Sequence, residues 1–119
     1  MSVNLSNEWG NVCISKEVIA KLAGIAATQC FGIIGMVSSR KFSDGISDIL
    51  GKDALSKGVE VMEKNNALAI RVNIVVCYGT NISSIANNII DNVKYTVERY
   101  AGLKVEDVNV HVHGVRVLD

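Results

Sequence analysis

The apolar residues of this chain change period several times, and each change marks an expected element. Val3 and Leu5 alternate with polar residues, as do Val12 and Ile14 beyond a Trp9-Gly10-Asn11 turn, which predicts a short hairpin. Ser15 can then cap a helix over residues 16–30. Its expected apolar face is Val18, Ile19, Leu22, Ala23, Ile25 and Ala26, at a period near 3.6, and Gly32 stops it. Residues 33–37 form a short apolar run that reads as a strand. Residues 38–55 mix Ser, Lys, Asp and Gly with one apolar patch, Ile46, Ile49 and Leu50, at helical spacing. A connection carrying one short helix is expected there.

The clearest pattern follows. Residues 58–63 and 68–78 read as two strands joined by a turn at Asn65-Asn66. In the longer strand Leu68, Ile70, Val72, Ile74, Val76 and Tyr78 share one face, while Arg71, Asn73, Val75 and Cys77 share the other. One face is expected to be core and the other half wet, as in a sheet covered on one side by helices. A second helix over residues 82–100 carries Ile82, Ile85, Ala86, Ile89, Val93, Val97 and Tyr100 on one face. The last strand, residues 105–118, turns Val108, Val110 and Val112 toward the core and Asn109, His111 and His113 away from it.

There is an internal echo. Ile14-Ser15 opens the first helix and Ile82-Ser83 the second, while Gly32-Ile33 closes the first and Gly102-Leu103 the second. The predicted architecture is α+β: a single mixed or antiparallel sheet, two main helices packed on one face, in the order ββαββαβ. At 119 residues the chain is expected to be one domain, 1–119.

Composition narrows the function classes. With 49% apolar and 20% charged residues the chain is globular rather than disordered. Twelve basic and twelve acidic residues balance to zero, which gives no electrostatic reason to expect a nucleic acid or an anionic membrane surface as partner. The first residues have neither the basic nor the apolar region of a signal peptide, and no apolar run approaches the ~18 residues of a membrane span. The expected location is cytoplasmic, with any membrane association coming through a partner. Cys13, Cys30 and Cys77 are odd in number, lack CxxC spacing and sit in apolar stretches, so small buried hydrophobes in a reducing compartment are expected.

Candidate chemistry is sparse. Gly79, Thr80, Asn81 and Ser83 form a glycine turn between strand and helix, where free amides and the helix dipole favour an anion. Against that reading, the turn lacks the further glycines or lysine of a phosphate loop, and the same residues suit a tight turn and a helix cap. His111 and His113 place two imidazoles on one strand face, a spacing metals use, but no third ligand follows by sequence. Arg116 can pair with a carboxylate or an anionic partner, or simply serve as an edge-strand charge. No catalytic set and no cofactor motif stands out, so a non-enzymatic protein is expected.

Several segments together resemble the alkaline shock protein family, the envelope-stress-response proteins of Gram-positive bacteria. They are Ile14-Ser15-Lys16-Glu17-Val18-Ile19-Ala20, Cys30-Phe31-Gly32-Ile33 through Gly35-Met36, and Tyr78-Gly79-Thr80-Asn81-Ile82-Ser83. Val93-Lys94-Tyr95-Thr96-Val97 and Val108-Asn109-Val110 with Val112 and Gly114-Val115-Arg116-Val117 complete the pattern. The resemblance covers almost the whole chain and is to the short branch that lacks long charged tails. It implies small, cytosolic, non-enzymatic proteins of cell-envelope homeostasis, some of them held at the membrane by an integral partner. Several members are encoded beside kinase-like proteins of the dihydroxyacetone and fatty-acid kinase type. The family has no agreed catalytic residues, and its members more often carry other residues where His111 and His113 stand.

Two functions are therefore expected to compete. One is a protein-interaction module that self-associates or docks a partner through a sheet edge or the wet sheet face. The other is an accessory protein binding an acyl or phosphorylated small molecule at the Gly79 turn, for a kinase-like enzyme.

Overall fold

A computed structural model of the chain describes residues 2–7, 9–38, 49–64 and 66–117. The elements run β1 (Ser2–Asn7), β2 (Gly10–Ser15), α1 (Lys16–Thr28), β3 (Ile33–Met36), a 3-10 helix (Lys52–Gly58), β4 (Val59–Lys64), β5 (Ala67–Cys77), α2 (Ile82–Ala101) and β6 (Val105–Arg116). The α+β class is the expected one. The order roughly follows the expected ββαββαβ, and the three strands read between the helices, at 33–37, 58–63 and 68–78, are all present, one more than that string counts.

The expected single sheet is two. Among the described residues β1 and β2 pair only with each other, from Ser2↔Ser15 to Asn7↔Gly10. Ser15 is at once the last residue of β2 and the N-cap of α1, its side chain accepting from the Glu17 amide at 3.1 Å. The chain therefore turns into helix before β2 can run along the main sheet. A two-stranded ribbon is marginal by itself in water. This one is anchored through Val3, which is buried with the core residues.

The main sheet is built around β5. β6 lies along one edge in parallel, from Leu68↔Val105 to Cys77↔Arg116. β4 and β3 share the other edge, both antiparallel: β4 pairs with the first half of β5, from Lys64↔Ala67 to Val59↔Val72, and β3 with the second, from Met36↔Ile74 to Ile33↔Val76. Leu68, Ile70, Val72, Ile74 and Val76 form the expected buried face, on which α1 and α2 pack, but Tyr78, expected with them, lies just past the end of β5 and is exposed. α2 buries Ile85, Ile89, Val93, Val97 and Ala101, but Ile82 and Tyr100, expected on that face, are exposed. Asn92 Nδ2 donates to the Ala26 carbonyl at 2.7 Å and ties the two helices together.

The buried stripe of α1 differs from the expected one. Ile19, Ala20, Ala23, Gly24, Ala26 and Ala27 face inward, whereas Val18 and Ile25 are exposed. The small side chains let the helix come close: a Cβ on Gly24 would stand only 3.0 Å from Leu55 Cβ in the 3-10 helix.

The second face of β5 is drier than the alternation suggested. Asn73 is 3% exposed and Val75 4%. Ile49 covers part of this face, since a Cβ on Gly35, opposite Val75, would collide with it. Ile49 and Leu50, expected in a helix, instead run beside the end of β3: Ile49 bridges Val37, and the Leu50 amide donates to the Met36 carbonyl at 2.8 Å. Ile46 lies outside the described residues. Arg71 and Glu60 face each other across β5 and β4 and pair at 3.4 Å, a partly exposed bridge worth under about 1 kcal/mol.

Candidate interaction surface

The strand-to-helix turn after β5 has a definite job for most of its side chains. Gly79 has φ +91, a left-handed angle that glycine adopts without strain. Thr80 Oγ1 donates to the Cys77 carbonyl at 2.5 Å. Asn81 is the N-cap of α2, its Oδ1 accepting from the Ser84 amide at 3.0 Å. Ser83 stands exposed in the first turn. Of the side chains expected to bind an anion, Thr80 is thus engaged in closing the turn and Asn81 in capping the helix.

Arg116 is brought to this same corner, which spacing in sequence could not show. It lies opposite Cys77 in the parallel ladder, and its carbonyl accepts from the Tyr78 amide at 2.8 Å. The turn between α1 and β3 arrives there too, with the Cys77 amide donating to the Gly32 carbonyl at 2.9 Å. Three chain segments meet within two residues of one another, and each presents a large apolar side chain to solvent. Phe31 is 84% exposed, Tyr78 69% and Val117 69%, with Ile82 and Val115 partly exposed beside them. No one of these would need explanation, but together they make the end of the sheet apolar, while Arg116, level with Cys77, belongs to the outer face. The signal that could have found it was the apolar residue next to each of Gly32, Gly79 and Arg116.

The histidine pair stays a pair. His111 and His113 rings are 6.3 Å apart on the outer face of β6. Among the described residues, no group of three His, Cys, Asp or Glu side chains is placed to hold a metal ion. His113 instead joins a polar network. Asn73 Nδ2 donates to the Gly58 carbonyl at 3.0 Å, which makes Asn73 Oδ1 the acceptor for His113 Nε2, 2.6 Å away. Burial, and then the neighbouring His111, push the His113 pKa below its ordinary value.

The cysteines divide. Cys13 is exposed on the hairpin, contrary to expectation, because β2 lies outside the main sheet; its thiol donates to Asn4 Oδ1 at 2.7 Å. Cys30 and Cys77 are partly buried, and burial raises the Cys30 thiol pKa while a hydrogen bond from Asn92 opposes the rise.

A cleft of about 220 Å³ opens at the other end of the molecule, under the hairpin, lined by Val3, Glu63, Leu68, Leu103 and Lys104 among others. It is smaller than the ~300–1,000 Å³ typical of small-molecule sites.

Comparison with known proteins now bears on this arrangement. The alkaline shock protein family, described as having a cell envelope-related function, matches residues 4–117. The chain belongs to that family. It is 46% identical over 117 residues to the uncharacterized protein YloU of Bacillus subtilis, covering 98% of each chain. It is 34% identical over 118 residues to the uncharacterized protein Spy1614 of Streptococcus pyogenes, covering 99% of this chain and 98% of that one. A stress response regulator gls24 homolog of Streptococcus pyogenes is 26% identical over 107 residues; the match covers 90% of this chain but 59% of that relative. No solved structure matches the chain significantly. The family match spans the hairpin, both helices and the corner formed by Phe31, Tyr78 and Arg116. No helix of the described residues is long and apolar enough to cross a membrane.

Proposed function

We propose that this member of the alkaline shock protein family is a non-enzymatic protein-interaction module of cell-envelope homeostasis, cytoplasmic and recruited to the membrane through a protein partner. The observation that carries the reading is the apolar corner around Phe31, Tyr78, Ile82 and Val117. Burying it on a partner would bring a favourable hydrophobic term of roughly 25 cal/mol per Å². Arg116, on the outer face of the same sheet end, offers a charge-assisted contact at the rim of that surface, and arginine recurs at binding hot spots. The family's cell envelope relation supplies the setting. The Gly79 turn supports this reading structurally, by fixing where Tyr78 leaves β5 and where α2 begins.

The test is photo-cross-linking in the native cell, with a photoreactive phenylalanine at Tyr78 and a control at Lys21, exposed on α1. Position 78 is expected to capture discrete protein adducts that Phe31→Glu abolishes. Equal, diffuse labelling at both positions would overturn the proposal.

A further inference from the structure

The interaction surface just described adjoins a second feature, the outer edge of β6. We infer that two copies of this chain join antiparallel along their β6 edges, about a twofold axis near His111. The inference rests on the interaction-module reading and names one partner for it.

The first observation is the edge itself. β6 is twelve residues long, and among the described residues its only strand partner is β5. Every second residue of an edge strand turns its N–H and C=O outward, so such an edge is a template for another strand. Natural edges are usually guarded by lysine, proline or inward charges. β6 has no lysine and no proline, and its two register shifts, at Glu106 and His113, leave the stretch from Asp107 to Val112 regular.

The second observation is the unfinished core along this edge. Val108, Val110 and Val112 pack against the core but stay only partly buried, whereas their partners Ile70, Val72 and Ile74 on β5 are fully buried. A strand added outside β6 is what would cover them.

The third observation is the order of charges, and it selects the occupant. The strand carries Glu106 and Asp107 near its start and Arg116 at its end. Along the ladder His111 stands opposite Asn73, midway between Ala69 and Cys77, the partners of Asp107 and Arg116. Antiparallel pairing about that point sets the acidic start of each copy against the arginine of the other, twice over. Parallel pairing of two copies in register would set like charges against like, which costs energy across a sheet. A sequence of charges that is self-complementary only when reversed fits a second copy of the same strand in an isologous, closed contact.

The full chain, studied by sedimentation equilibrium, tests this. The wild type is expected to dimerise, and Arg116→Glu to weaken the dimer by about tenfold or more, since each of two contacts becomes repulsive. Reversing the acidic side as well, with Glu106→Arg and Asp107→Arg added to Arg116→Glu, is expected to restore the affinity. A second variant keeps the inference testable if the charge changes disturb folding: His111→Cys in a Cys13→Ser background is expected to form a disulfide between two copies across the axis. A strict monomer overturns the inference. So does a dimer indifferent to Arg116→Glu, which would place self-association elsewhere and leave the interaction-module reading standing. Capture of a different protein at position 78 with no dimer overturns the inference but not that reading.

Discussion

The two strand–helix–strand halves of the molecule, β2–α1–β3 and β5–α2–β6, look alike in sequence and are built differently. In the second half the flanking strands are neighbours: β5 and β6 pair in parallel over nearly the full length of β5, with α2 across one face. In the first half the flanking strands belong to different sheets, since β2 pairs with β1 and β3 with β5. Strand partnership is the difference, since β2 is already paired with β1. A parallel crossover must return the chain to the start of the previous strand. The twenty residues of α2 span about 30 Å, close to the ~36 Å of the eleven-residue β5. The thirteen residues of α1 span about 20 Å, which also matches the six-residue β2, so reach alone does not separate the halves. The first half instead delivers β3 to the far end of β5, where it runs antiparallel.

The halves also pack differently. α2 carries the core's large side chains, and α1 approaches closely through alanine and glycine. The largest expected effect tests that asymmetry. Ile89 is fully buried in α2, so Ile89→Ala should cost about 2–5 kcal/mol from lost burial and the cavity left behind. Val18→Ala on α1 should stay within about 0.5 kcal/mol, because Val18 is exposed. Urea unfolding of both variants measures this. Equal losses would show that the two helices share the core evenly.

A smaller effect of the opposite kind is expected in α1. Ala23 is fully buried in the close-packed stripe, beside Gly24 and its contact with Leu55. Ala23→Leu adds volume where there is none to take it and should destabilise by about 1–3 kcal/mol. A neutral or stabilising result in the same unfolding measurement would mean that α1 stands off the sheet and that the comparison between the helices is misdrawn.

Local pattern made much of this legible. The 3.6 period of α2 named Ile85, Ile89, Val93 and Val97, all buried, and residue type placed the cap among Thr80, Asn81 and Ser83, of which Asn81 fills it. What pattern could not supply came from pairing between distant segments. The face of α1 shifted because the 3-10 helix presses on Gly24, a neighbour thirty-one positions away by the numbering of Leu55. Asn73 and Val75 sit where alternation places them, yet they are buried, because His113, Gly58 and Ile49 arrive from three other parts of the chain. The candidate site divides the same way. Gly79, Thr80 and Asn81 were readable as a corner, but the arrival of Arg116 beside them depends on the parallel register of β5 with β6. Such register is long-range and leaves little local trace.

The smallest expected effect concerns pH and belongs to the second half alone. His113 links β6 to Asn73 of β5, and Asn73 in turn holds the Gly58 carbonyl before β4. Protonating the imidazole leaves Nε2–H in place, so the hydrogen bond to Asn73 survives. Burial first, and the neighbouring His111 second, still disfavour the charged form and set the folded pKa below the ordinary 6.5. Arg71 and Cys77 on β5 and Asn109 and Arg116 on β6 share this outer face by register, and Glu60 faces Arg71 from β4. The unfolded chain therefore binds the proton more readily than the folded one in the window between those two values. The stability tied to a neutral His113 is fully present above about pH 6.5 and is lost as pH falls through the lower folded value. Thermal unfolding at about pH 7.5 and pH 5.5 should show a larger drop for the wild type than for His113→Gln, which keeps a donor but cannot titrate. Identical drops would mean that the acid sensitivity, if present, arises outside the tie that joins β5 to β6.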